Sequence, residues 1–364
     1  FRNFEFDKAR AHIDEYLDFS RQLVDFAPNN PEYLLELLYA ESNQGTLAYR
    51  AHDLQVARQQ FHKALAIGKK LTKLQSSPEN DLELATTISW LGAIEASTGE
   101  LQSAYELYQE EQAIYRKLVE IESDRRYVEY LANSLRVIAE VQRQSGKLQQ
   151  AKELSEESTR YLRDLVAYDP QNSIWRRYLA LSLIATARNG YSARIHSADE
   201  SHAILSLALE EIVNGAEINT TENRLARYQI DIERARIALN EGDSLAANRL
   251  LEEALKNIEH MQIEEKDREF YYLYMEAMYL LSEAAYLNHK KNEAEVIATK
   301  ALSTISRLNY ADQIQIKAYV SLLSHRAGSP AAESLITEIA DSEYRAPIHV
   351  AETETGEWWA GKIY

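Results

Sequence analysis

Histidine is the first side chain to test for chemistry, and the nine histidines stand at positions 12, 52, 62, 196, 202, 260, 289, 325 and 349. A metal pair on a helix needs two ligands three or four residues apart on one face, with carboxylate support. None is so spaced. His196 and His202 lie six apart, which reads as a solvated loop rather than a metal site. Cysteine is absent, which excludes disulfides, thiol catalysis and thiolate metal ligands and fits a cytoplasmic chain. No phosphate-binding GxxxxGK(S/T), dinucleotide-binding GxGxxG, zinc-binding HExxH, serine-hydrolase GxSxG or EF-hand pattern occurs. Carboxylate pairs such as Glu110-Glu111 and Glu264-Glu265 read as solvated helix faces. The expectation is a chain with no catalytic set, no metal and no cofactor.

What remains is arginine, glutamate and an abundance of tyrosine. The 23 tyrosines include a run at Tyr271, Tyr272, Tyr274, Tyr279 and Tyr286. Tyrosine is large, fairly rigid and polar-tipped, so it serves both interfaces and helix packing. The formal charge of −17 opposes a nucleic-acid partner, which would need a basic field. No apolar run approaches the 18 residues that would span a membrane. The chain is 45% hydrophobic and 27% charged, with only 11 Gly and 6 Pro, the composition of an all-α fold rich in helix formers.

The elements that must position these side chains are set by a period. Ala9, Ala57, Ala104 and Ala151 are spaced by 48, 47 and 47 residues, and Ala247 and Ala294 again by 47. Gly99-Glu-Leu-Gln-Ser-Ala104 parallels Gly146-Lys-Leu-Gln-Gln-Ala151, and Gly242-Asp-Ser-Leu-Ala-Ala247 has the same form. Self-similarity at such a period is the mark of a stacked solenoid. Each unit reads as helix, tight turn, helix. Leu84, Ile88, Leu91 and Ile94 form an apolar stripe, Gly99 ends that helix, and Ala104, Leu107, Tyr108, Ile114, Tyr115 and Leu118 line the next. A 47-residue unit less its turns leaves helices of about 20 residues, roughly 30 Å long. Asn29-Asn30-Pro31 and Gln171-Asn172-Ser173 supply N-cap chemistry where a new unit starts.

Trp90-Leu91-Gly92, Ala104 twelve residues after Gly92, and the aromatic Tyr108 resemble the tetratricopeptide repeat (TPR) family over roughly residues 7–341. Gly45, Gly92, Ala139, Ala187, Ala235 and Ser282 fall at that family's small first-helix position. The departure is length, since the usual unit is about 34 residues. A generic helical array of HEAT type has an overlapping period. The resemblance implies an all-α, right-handed α-α superhelix of about seven helix-turn-helix units. Residues 1–30 then hold the second helix of a truncated first repeat, as in a piece of a longer protein. Residues 31–215 form the array, 216–341 continue it after a hinge near 214–221, and 342–364 form a non-helical tail in which Trp358 and Trp359 cap the last helices. The segment 189–198 reads as a longer turn than its counterparts.

In that family ligands lie along the concave face of the first helices. Carried over by the period, the groove positions include Tyr39 and Tyr49, then Asn133, Arg136, Glu140 and Arg143, then Arg188, Arg236, Glu276, Tyr279, Glu283 and Tyr286. Arg136, Arg143, Arg188 and Arg236 form a cationic row suited to bidentate capture of carboxylates. The same arginines could instead pair with neighbours such as Glu140 across repeats. The resemblance implies a protein- or peptide-binding scaffold, with an acidic ligand as complement, serving as the regulatory or sensor segment of a larger bacterial signalling protein. A receptor for a small peptide pheromone is the alternative, and an enzyme with a disguised site is the rival from another class.

Overall fold

The computed structural model describes residues 2–51, 53–215, 220–259, 268–305, 314–329, 332–342 and 344. The Trp358–Trp359 tail and residues 216–219 of the expected hinge lie outside them. Among the described residues there are fifteen α-helices: α1 (Arg2–Phe26), α2 (Pro31–Arg50), α3 (Leu54–Leu74), α4 (Pro78–Thr98), α5 (Leu101–Ile121), α6 (Arg125–Gln144), α7 (Leu148–Tyr168), α8 (Ser173–Ser192), α9 (Ala198–Val213), α10 (Thr221–Asn240), α11 (Ser244–Glu259), α12 (Arg268–Leu287), α13 (Lys291–Ile305), α14 (Ile314–Arg326) and α15 (Ala332–Asp341). After α1 they follow the expected helix-turn-helix order, seven pairs in all, and α3 to α8 are 20 or 21 residues long. No described helix is long and apolar enough to cross a membrane.

The period has a packing cause. Ala57, Ala104, Ala151, Ala247 and Ala294 are fully buried, so each marks a point where a second helix presses closest on its neighbours. The small first-helix position is the other half of that contact. A Cβ added to Gly45 would meet the Phe61 ring at 2.7 Å, and one added to Gly92 would meet the Tyr108 ring at 2.8 Å. Ala9 is exposed on α1, which precedes the first complete pair. The turns follow the same rule. Gly99 and Gly146 adopt positive φ, the conformation that carries the chain out of a first helix without a Cβ clash. Asn30 caps α2 by accepting from the N–H of Glu32 and Tyr33, with Pro31 in the first turn, and Asn172 caps α8.

Two expectations change near residue 190. The segment 189–198 is not one long turn: α8 continues through Ser192, and only 193–197 link it to α9. Asn189 is buried in the helix and donates to the Ala151 carbonyl, which holds that stretch in register. His196 is not a solvated side chain. Its imidazole occupies the space beside Gly190 where a Cβ would stand, and its Nε2 lies 3.7 Å from Glu156.

The chain divides into two compact units. Unit 1 comprises Phe1–Ala96 and Gln102–Tyr127, and unit 2 comprises Ser97–Leu101 and Val128–Tyr364. In unit 1, Phe61, Leu91 and Ile94 form a core cluster flanked by Tyr49 and Trp90. In unit 2, Leu162, Leu165, Leu179, Leu183, Leu205 and Ile230 are the centre of a larger one. The first helices of unit 2 also touch one another, α8 to α10, α10 to α12 and α12 to α14, and so build a continuous inner layer.

Candidate functional site

That inner layer carries the polar residues. Helical spacing places Arg136, Glu140 and Arg143 on one face of α6, and Glu233 and Arg236 on one face of α10. On α12, Tyr272, Glu276, Tyr279, Glu283 and Tyr286 recur at alternating steps of four and three, a single stripe of phenols and carboxylates. Tyr319 and Arg326 stand seven residues apart on α14.

The layer is wired by ion pairs that cross from repeat to repeat. Arg143 holds Glu140 with two hydrogen bonds, Nε to Oε2 at 2.9 Å and Nη2 to Oε1 at 2.6 Å. Gln144 donates to the same carboxylate at 2.8 Å. Arg188 of α8 lies 3.8 Å from Glu140 on one side and donates from Nε to Glu233 of α10 at 2.6 Å on the other. Arg236 bonds Glu233 at 3.3 Å and reaches Glu276 of α12. Tyr319 of α14 donates to Glu276 at 2.8 Å. Nearby, Arg326 pairs with Glu283 and covers the face of the Tyr286 ring at 4.0 Å. Arg188, Glu233, Arg236, Glu276 and Glu283 are all at least 93% buried.

Burial of this kind disfavours charge, so the ionisation of the layer depends on its pairing. Burial opposes the Glu140 carboxylate, yet Arg143 and Arg188 outweigh it and hold the pKa at about 2. Burial likewise opposes Glu233, and Arg188 and Arg236 together pull its pKa below the usual carboxylate value. The Tyr272 phenol is pushed up to about 12, first by burial and then by Glu276. Not every atom is satisfied. Arg236 Nη1, Glu276 Oε2, Glu283 Oε2 and the Tyr272 hydroxyl are buried without a hydrogen-bond partner among the described residues. Each is a group that costs free energy when left unpaired.

The residues expected in the groove therefore separate. Arg143, Arg188 and Arg236 come together, but as members of an alternating chain with Glu140, Glu233 and Glu276 rather than as an open cationic row. Arg136 is half-buried on the same face and donates to Asn133 at 2.8 Å. Tyr279 is buried, its ring centroid 5.9 Å from that of Tyr319, and Tyr286 lies under Arg326. Tyr39 and Tyr49 belong to unit 1. There the Tyr39 hydroxyl donates to Glu83 at 3.0 Å, and burial followed by that carboxylate raises its pKa to about 12. Tyr49 packs edge-on against Trp90, 5.4 Å between centroids.

Sequence reasoning missed Glu233, Tyr319 and Arg326. A signal existed for one of them. Glu233 stands three residues before Arg236, an i,i+3 pair of opposite charge.

No protein-family model matches the chain, and no curated protein matches it in sequence. Solved structures do resemble it. NprR in complex with its cognate peptide NprX superposes with a TM-score of 0.56 at 10% identity, covering 91% of this chain and 88% of that one. BtubC (BKLC) from P. vanneervenii gives 0.53 at 17% identity over 71% of this chain and 93% of the other. A Rap protein complexed with competence and sporulation factor gives 0.50 at 12% identity, over 92% and 90%. At these identities the likeness is one of fold. By fold, the chain is a TPR-like α-helical solenoid.

Proposed function

We propose that the chain is a peptide-binding scaffold whose ligand lies along the inner layer of unit 2. The observation that carries this reading is the set of buried, unpaired polar atoms on Arg236, Glu276, Glu283 and Tyr272, in a layer that spans five consecutive first helices. An extended peptide offers alternating N–H and C=O groups, the complement of unpaired carboxylate oxygens and guanidinium N–H groups. An acidic group on the ligand would compete with Glu140 or Glu233 for an arginine fork. Glutamates held ionised by arginine are poor general acids near neutral pH, which supports binding over catalysis. One neighbour was crystallised with its cognate peptide and another with competence and sporulation factor, which supports the narrower reading of a receptor for a short signal peptide. A regulatory segment of a larger signalling protein fits the same reading.

The test is selection of peptides from a random library on the immobilised chain, followed by titration of Arg136→Ala and Tyr286→Ala. Both side chains are half-buried on the inner layer, so both variants should fold. At least tenfold weaker binding in each, with unchanged circular dichroism, is expected. Unchanged affinity in both would move the site away from this layer.

A further inference from the structure

A second polar concavity of unit 2 involves the second helices α7 and α9. On α7, Glu153, Glu156, Arg160 and Arg163 recur at steps of three, four and three, so one helix face is acidic at its start and basic at its end. Facing it, the link after α8 turns back. Arg194 takes a φ of 57°, in the left-handed region, and the Ile195 and His196 N–H groups both donate to the Gly190 carbonyl at 3.0 Å. The turn seats His196 against Gly190 with its side chain only 14% exposed, and Nε2 lies 3.7 Å from Glu156. The four α7 side chains and His196, with Leu183 of α8 and Ile204 of α9, line a cleft of about 510 Å³, a volume ordinary for a small-molecule site. Its two charged ends do not neutralise each other. Lys152, not Arg160, holds Glu156, at 2.8 Å. Glu153 accepts only from Gln149, at 2.7 Å. Arg160 and Arg163 are exposed and make no ion pair or side-chain hydrogen bond among the described residues.

We propose that this cleft is a separate binding site for a small zwitterion of dipeptide size. The ligand's amine lies at Glu153 and Glu156, and its carboxylate meets the guanidinium forks of Arg160 and Arg163. Its apolar side chains rest on Leu183 and Ile204. The lengths agree. Glu156 and Arg160 are four residues apart, about 6 Å along the helix. An extended dipeptide spans at most about 7 Å. A simple anion would gain the arginines and be repelled by Glu153, and a simple cation would meet the reverse, so only a ligand with both charges satisfies both ends. The site uses none of the charged groups of the inner layer and stands apart from the reading proposed for it.

The experiment titrates three probes into the full chain by isothermal calorimetry: leucyl-leucine, its N-acetyl form, which keeps only the carboxylate, and its C-terminal amide, which keeps only the amine. The same titrations are run on Glu156→Gln and on the double variant Arg160→Ala, Arg163→Ala, with circular dichroism as the check of folding. The parent should bind leucyl-leucine saturably, and each capped form at least tenfold more weakly. The double variant should bind leucyl-leucine at least tenfold more weakly than the parent and no better than the amide. Glu156→Gln should lose the preference for leucyl-leucine over the N-acetyl form. If Glu156→Gln fails to fold, Glu153→Gln, at an exposed position, takes its place. Absence of binding to the parent at millimolar dipeptide overturns the site. Equal affinity of the parent for all three probes overturns the zwitterion. Unchanged affinity for leucyl-leucine in both variants puts the dipeptide elsewhere and overturns the cleft.

Discussion

Units 1 and 2 obey the same packing rule and carry different polar loads. In unit 1 the contacts between helices include Tyr39 with Glu83, Arg21 with Glu41 and Arg58 with Glu95. Several sit at the margin of the core, with Arg21 45% exposed and Arg58 35%. In unit 2 the equivalent layer is one connected series of alternating charges, nearly all of it removed from water. One repeat thus supports two kinds of inner surface. The backbone register depends on small residues and buried aliphatic side chains, so the remaining first-helix positions can change charge without moving the helices.

The sharpest way to break this comparison is to remove a counterion from each unit. Glu233→Gln leaves Arg188 and Arg236 facing each other in a buried layer and should cost about 3–5 kcal/mol. Lys69→Ala in unit 1 breaks an exposed pair with Glu110 and should cost less than about 1 kcal/mol. Urea unfolding of the two variants measures both, and equal losses would erase the distinction.

The next effect should be the same in both units, because it tests what they share. Gly92→Ala drives a methyl group into the Tyr108 ring, and Ala151→Leu overfills the contact between first and second helices. Each should cost about 1–3 kcal/mol in thermal melts. A neutral outcome at Ala151 with a penalty at Gly92 would mean that close packing governs only unit 1.

The smallest effect is a pH dependence from the buried carboxylates of unit 2, with two signs. Glu140 and Glu233 have folded pKa values below the ordinary carboxylate range, so their stabilisation is full above about pH 4.5 and is lost as pH falls toward 2. Asp231 is the reverse case. Burial raises its pKa to about 6 despite Arg234 and Arg227, so it destabilises the fold above pH 6 and relieves it as pH falls from 7 to 4. Asp231→Asn should remove that relief, a change of roughly 1 kcal/mol or about 2–4 °C. Melts from pH 7 to pH 4 check it, and an unaltered slope in the variant would exclude Asp231 as its source.

Much of the fold was legible because its causes are local and repeated. A fully buried alanine every 47 or 48 residues, a glycine facing an aromatic ring, and an asparagine before a proline each act within one helix pair, so the sequence shows them directly. The turn near residue 190 was misread for the opposite reason. Asn189 and Gly190 look like turn residues, yet the Ala151 carbonyl and the His196 ring, both outside that stretch, hold them in helical conformation.

The site was only half legible. The period placed Arg143, Arg188 and Arg236 on one layer, and the type of each residue set its charge. Whether each arginine meets a carboxylate depends on the stagger of helices whose contacting residues are 40 to 48 positions apart. A shift of a few ångströms would exchange partners without altering any local pattern. By itself the sequence determined the repeat, the all-helical class and the charge available on each inner face, since these follow from spacing and side-chain type. The tertiary structure alone decided which charges are neutralised and which buried atoms stay unpaired, because these depend on distances between segments that the chain brings together only once folded.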